Sequence, residues 1–99
     1  MPIRDVRYDP PDNVTVGTGS TVVVTEDGER KYLLLTNDSN ETIYLGIGAD
    51  AVLNKGTRLN AEGGSFEMIR DLGGNFSHQK VNAISASGGK NLLIQTAKG

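Results

Sequence analysis

Hydrophobic positions along this chain come in short bursts rather than helical stripes. Thr42-Ile43-Tyr44-Leu45-Gly46-Ile47-Gly48 alternates: Ile43, Leu45 and Ile47 share one side, Thr42, Tyr44 and Gly46 the other. A period of two marks a β-strand with one covered face. Thr21-Val22-Val23-Val24-Thr25 is dense in β-branched residues, which suit a pleated surface. Lys31-Tyr32-Leu33-Leu34-Leu35-Thr36-Asn37 is apolar on both alternating sides, which predicts a central strand covered on both faces. Further strand patterns run over 57–60, 65–69, 81–86 and 91–96. No segment keeps a 3.6-residue period over three turns, and 49–54 has room for a single helical turn.

Turn clusters separate these runs. Asp27-Gly28 between two strand patterns predicts a hairpin, because both residue types tolerate positive φ. Asp38-Ser39-Asn40, Gly63-Gly64 and Gly73-Gly74 break the chain elsewhere, and Ser87-Gly88-Gly89-Lys90 predicts a closing hairpin. Gly46 and Gly48, inside a strand pattern, point to a bulge or a close backbone approach. Seven or eight short strands at about ten-residue spacing predict an all-β fold, a single small antiparallel β-sandwich or jelly-roll-like barrel. Its expected core holds Leu33, Leu35, Ile43, Leu45, Leu92 and Ile94.

The start of the chain differs. Pro2, Pro10 and Pro11 are its only prolines. Proline fixes φ and removes a donor, so residues 1–13 are expected to form an extended N-terminal arm ahead of a sandwich domain at 14–99.

Composition narrows the function. The 99 residues are one domain's worth, yet 36% are hydrophobic, 5% aromatic, and none is Trp. A core this thin gains from association, so a homo-oligomer is expected. The net charge is −2, from 10 basic and 12 acidic residues with no basic block, which speaks against nucleic acid as a partner. No apolar run approaches the ~20 residues of a membrane span. The first residues lack the apolar stretch of a secretory signal, so synthesis in the host cytoplasm is expected. With no cysteine, disulfides, zinc ribbons and thiol catalysis drop out, and the Asn-x-Ser/Thr triplets read as turn composition.

Catalytic chemistry finds little footing. His78 is the only histidine and has polar neighbours; no G-x-S-x-G elbow is present. Glycosidase chemistry needs two carboxylates held ~5–10 Å apart. Glu62, Glu67 and Asp71 lie near one another in sequence, but Glu67 alternates with Phe66 and Met68 and so belongs to the solvent face. Asp38-Ser39-Asn40-Glu41 lacks the glycine and distant glutamate of a calcium loop. The Gly17-Thr18-Gly19 and Gly46-Ile47-Gly48 triplets lack the rest of a phosphate cradle. The reading is a non-enzyme without metal or cofactor. Tyr44, opposite the apolar side of its strand, is the aromatic contact candidate, since exposed aromatics stack on sugars or anchor interfaces. A second sheet over that face is the competing arrangement.

The order of these pieces carries a resemblance. Arg30 to Asn37, a Ser-Asn turn, Thr42 to Gly48, Gly56-Thr57-Arg58-Leu59, Gly63-Gly64-Ser65-Phe66-Glu67 and Val81-Asn82-Ala83-Ile84-Ser85 follow one another. Over roughly 13–96 this resembles the small β-sandwich structural proteins of tailed bacteriophages and related viruses, of head-decoration, head-fibre or tail-associated type. The resemblance implies a virion component, most directly a capsid decoration (cement) protein that binds across neighbouring subunits of the major capsid protein, with a trimer favoured. Arm residues Ile3, Arg4, Val6, Arg7 and Tyr8 are the expected contact, because an extended arm can lie across a neighbouring subunit. The alternative is a glycan- or receptor-binding module of a tail fibre or baseplate.

The thin core makes one direct prediction. Sedimentation velocity at micromolar concentration is expected to return an oligomer; a stable, fully folded monomer would contradict it.

Overall fold

The computed structural model describes residues 7–69 and 78–98. Nine strands form among them: β1 (Arg7–Tyr8), β2 (Asp12–Val16), β3 (Thr21–Val24), β4 (Arg30–Asn37), β5 (Ile43–Ile47), β6 (Thr57–Leu59), β7 (Ser65–Ile69), β8 (Val81–Ser85) and β9 (Lys90–Lys98). No helix occurs among the described residues, so 49–54 does not form the helical turn its length allowed.

The strands make two antiparallel sheets. Sheet A runs β1-β9-β4-β7, with β2 also on β9; sheet B runs β3-β8-β5-β6. The pairings β5 with β6, β4 with β7, β3 with β8 and β2 with β9 trace one long folded hairpin. Rolled up, that hairpin also brings β4 to β9 and β5 to β8. This is the winding of a jelly roll, a double sheet built from two Greek keys. The expected all-β sandwich is what the chain forms.

The rolling changes the meaning of the turns. Asp27-Gly28 does not close a hairpin: β3 lies in sheet B and β4 in sheet A. The chain arches between sheets there, held by Asp27 Oδ1 accepting from the Glu29 amide at 2.9 Å and by the buried Arg30 guanidinium donating to the Thr25 carbonyl at 3.1 Å. Ser87-Gly88-Gly89 is likewise an arch from β8 to β9. Its two glycines sit at φ 75° and 65°, left-handed values that a side chain would resist. Asn37 ties the β4–β5 arch across the sandwich, donating through Nδ2 to the carbonyls of Glu41 and Leu59 at 2.7 and 3.1 Å. β5–β6 is a hairpin within one sheet.

The core lies between the sheets. Leu33, Leu35, Ile43, Leu45, Leu92 and Ile94 are all buried, as the alternation indicated, together with Val16, Leu59, Met68, Val81 and Ala83. The arm is not separate from this body. Arg7 and Tyr8 pair with Lys98 and Ala97, and Asp12 and Asn13 with Ile94 and Leu93, so the described part of 1–13 is an edge of sheet A. It is extended, as its prolines require, but β9 offers it a ladder.

The doubly covered strand is β8, not β4. All five β8 residues are buried. Asn82 and Ile84 lie on the outside of sheet B, and residues 20 and 50–51 gather over Asn82: Asn82 Nδ2 donates to Ser20 Oγ at 2.8 Å, and the Ala51 amide donates to the same oxygen at 2.9 Å. Gly46 permits this cover, because a Cβ there would stand 2.5 Å from the Asp50 carbonyl oxygen. On β4, by contrast, Tyr32, Leu34 and Thr36 are only half-buried.

Adjacent leucines therefore report opposite environments. Leu35→Ala is expected to cost about 2–5 kcal/mol of stability in urea unfolding, as core truncations do. Leu34→Ala is expected to cost about 1 kcal/mol or less. Equal losses would mean that the outer face of β4 is covered too.

Candidate functional site

The outer face of sheet A gathers exposed apolar side chains across neighbouring strands; Val22 on β3 and Val52 and Leu53 in the β5–β6 loop are exposed as well. Cross-strand partners place Tyr8, Ala97, Tyr32 and Ile69 in one row, and Gln95, Leu34 and Glu67 in the next. Asn13, Leu93, Thr36 and Ser65 form a third row. Tyr8 is 66% exposed, Ile69 51% and Leu93 40%. The Tyr8 and Tyr32 rings meet edge to face, with centroids 5.8 Å apart and planes at 87°. That geometry suits the ring quadrupoles and holds Tyr8 in place. Tyr32 Oη donates to Glu67 Oε2 at 2.7 Å. This bond, with some desolvation and the carboxylate's charge, pushes the Tyr32 phenol up to about 12. Toward the other end Asn13, Asn91 and Asp38 form a polar ladder of amide and carboxylate bonds at 2.8 and 3.1 Å.

Of the expected arm contacts, Tyr8 belongs to this face and Arg7 is exposed opposite Lys98 at its edge. Ile3, Arg4 and Val6 lie outside the described residues. Tyr44 does not join the face. It is half-buried on the outside of sheet B, and its hydroxyl donates to Asn54 Oδ1 at 3.0 Å. Neither a second sheet nor open solvent covers it; the β5–β6 loop does. His78 is half-buried, and its carbonyl accepts from the Asp27 amide at 3.1 Å. Glu67 faces outward, as the alternation indicated. Asp71 lies outside the described residues. Among the described residues no three histidine or carboxylate side chains gather as a metal site would require.

A second feature had no sequence signal. Where β2 and β3 splay apart, a cleft of about 550 Å³ opens between the sheets, lined by residues 9–12, 23–25, Ile94 and Thr96. A smaller lobe of about 130 Å³ adjoins it, reaching Asp27, Arg30 and Lys98. The charges of that lobe are engaged. Arg30, 1% exposed, donates through Nη1 to the Thr25 carbonyl and through Nη2 to the Gln79 carbonyl at 3.0 Å. Burial lowers its pKa and Asp27 opposes that. Lys98 Nζ stands 3.4 Å from Asp27 Oδ2. The Glu29 amide and the Lys98 ammonium together hold the Asp27 carboxyl below its ordinary value. At the opposite end of the sandwich, Glu41 takes the amide and hydroxyl of Ser87, both at 2.8 Å, which fastens two arches together and keeps that carboxyl low as well.

No family model, curated protein or solved structure matches this chain.

The Tyr32–Glu67 bond titrates in a defined window. A phenol whose folded pKa exceeds its unfolded value of ~10 contributes stability that is fully present below ~10. That contribution is lost as pH rises toward about 12. Absorbance titration of the folded protein is expected to show one tyrosine ionising near 12, and Glu67→Gln to bring it down. An unchanged titration in the variant would disprove the assignment.

Proposed function

We propose that this protein is a structural component of a tailed-bacteriophage virion, a decoration protein that stabilises the head by binding across neighbouring capsid subunits, as a homotrimer. The apolar outer face of sheet A carries the reading. It presents Tyr8, Tyr32, Leu34, Leu93 and Ile69 together across neighbouring strands, whereas part of sheet B's outer side lies against the chain's own loop. A permanently exposed apolar face suits a domain that works while held against neighbours. The arm's β1 strand borders that face, so arm and face form one continuous contact surface. Jelly rolls also serve as viral capsid domains, which agrees with the family resemblance. Repetition over a lattice makes individually weak contacts effective.

A second reading, a glycan- or receptor-binding module of a tail fibre, draws on the same face. Tyr8 lies one row from Gln95, and sugars take aromatic planes flanked by amides; lectins too use the jelly roll.

Cryo-electron microscopy of virions carrying this chain is expected to place the domain at repeated sites on the head. Binding of the purified protein to heads that lack it is expected to fall at least tenfold in Leu93→Asp, with thermal unfolding unchanged, and to persist in Tyr44→Ala. Density confined to the tail, with glycan-array binding by the purified chain, would replace decoration by the second reading.

A further inference from the structure

We propose that the cleft between β2 and β3 receives an arginine side chain presented by a loop of a partner protein. This holds independently of whether the partner is a capsid subunit.

The cleft lies between two sheet edges, β2 in sheet A and β3 in sheet B. Both edges are guarded against strand addition. Pro10 and Pro11, just before β2, have no amide hydrogen to offer a ladder. On β3 the register slips between Val22 and Val24, a bulge that interrupts the pairing edge. The opening therefore admits a side chain with the loop that carries it rather than an added strand, and about 550 Å³ is room for one.

Its lining selects the chemistry. Val23, Val24 and Ile94 make an apolar bed, and Ile94 and Val23 belong to the core itself. Asp9 and Asp12 are the acidic residues of the lining, and no cation is among the described lining residues. The cations of the adjoining lobe, Arg30 and Lys98, are engaged by backbone carbonyls and by Asp27. An apolar bed ending in carboxylates complements an alkyl stem ending in a cation. Arginine fits better than lysine, since its planar fork pairs with carboxylates through two parallel bonds and its charge is weakly hydrated.

The rim is held in place before anything binds. The Asp9 amide donates to the Thr96 carbonyl at 2.9 Å, Thr96 Oγ1 donates to Asp9 Oδ2 at 2.6 Å, and Gln95 Nε2 donates to the Asp9 carbonyl at 2.7 Å. A carboxylate already fixed costs little further order on binding.

The test is an NMR titration of the isotope-labelled full chain with the peptide acetyl-Ala-Arg-Ala-amide. Shifts are expected at the amides of Asp12, Val23, Val24, Thr25 and Ile94. Binding is expected to weaken at least fivefold in Asp9→Asn/Asp12→Asn and with the norleucine or glutamate peptide. If the double variant does not fold, Asp12→Asn alone serves, because the bond that the Asp12 carboxylate accepts from the Asn13 amide at 2.8 Å is local to its own strand. Equal shifts with the norleucine peptide, or shifts centred on Tyr8 and Leu93, would overturn the assignment.

Discussion

One strand at the end of the chain holds the two halves of its sheet together. β9 pairs with β4 along one edge, and with β2 and then β1 along the other. Its inward residues Leu92 and Ile94 complete the core while its outward Leu93 and Gln95 build the exposed face. The β2–β9 and β4–β9 ladders join positions far apart in sequence, so the sandwich cannot close until its last strand arrives. Long-range pairing of this kind makes folding slow relative to a helical domain of equal size. The same strand also creates the cleft. β9 is continuous, but the chain on its edge is interrupted at Pro10 and Pro11, and the gap between β1 and β2 becomes one wall.

Much of the architecture was legible in the sequence, and what was not has a physical cause. The alternation over Ile43, Leu45 and Ile47 and the core leucines could be read because side-chain direction follows from the local period alone. The connections could not. Asp27-Gly28 and Ser87-Gly88-Gly89 announce a reversal of the chain, and a reversal looks alike locally whether the next strand lies beside the last or across the core from it. In a jelly roll most reversals are of the second kind, so hairpin signals are misread as pairings. The doubly covered strand was misassigned for a related reason. β4, with three consecutive leucines, looks buried on both sides, yet β8 is, carrying Asn82 and Ser85. Asn82 Nδ2 and Ser85 Oγ donate to partners 62 and 68 residues away, Ser20 Oγ and the Gly17 carbonyl, which no local pattern displays.

The sites divide in the same way. The extended setting of Tyr8 was legible because it belongs to a proline-marked segment whose form is locally dictated. Tyr44 looked equivalent, but its exposure depended on a loop whose path over sheet B is not encoded in the strand. The cleft gave no signal, because its lining joins residues 9–12, 23–25 and 94–96, three stretches brought together only by the rolled hairpin.

The cover that the chain lays over the outside of sheet B traces to a single small residue. Had Gly46 a side chain, the carbonyls of Ala49 and Asp50 could not sit against β5, since its Cβ would meet them at 2.8 and 2.5 Å. The loop would lift, taking the Ala51 amide from Ser20 and uncovering Asn82. The outer side of sheet B would then expose more surface beside Val22, Val52 and Leu53, which already stand in solvent. One residue without a side chain thus sets how much of that side the chain covers for itself.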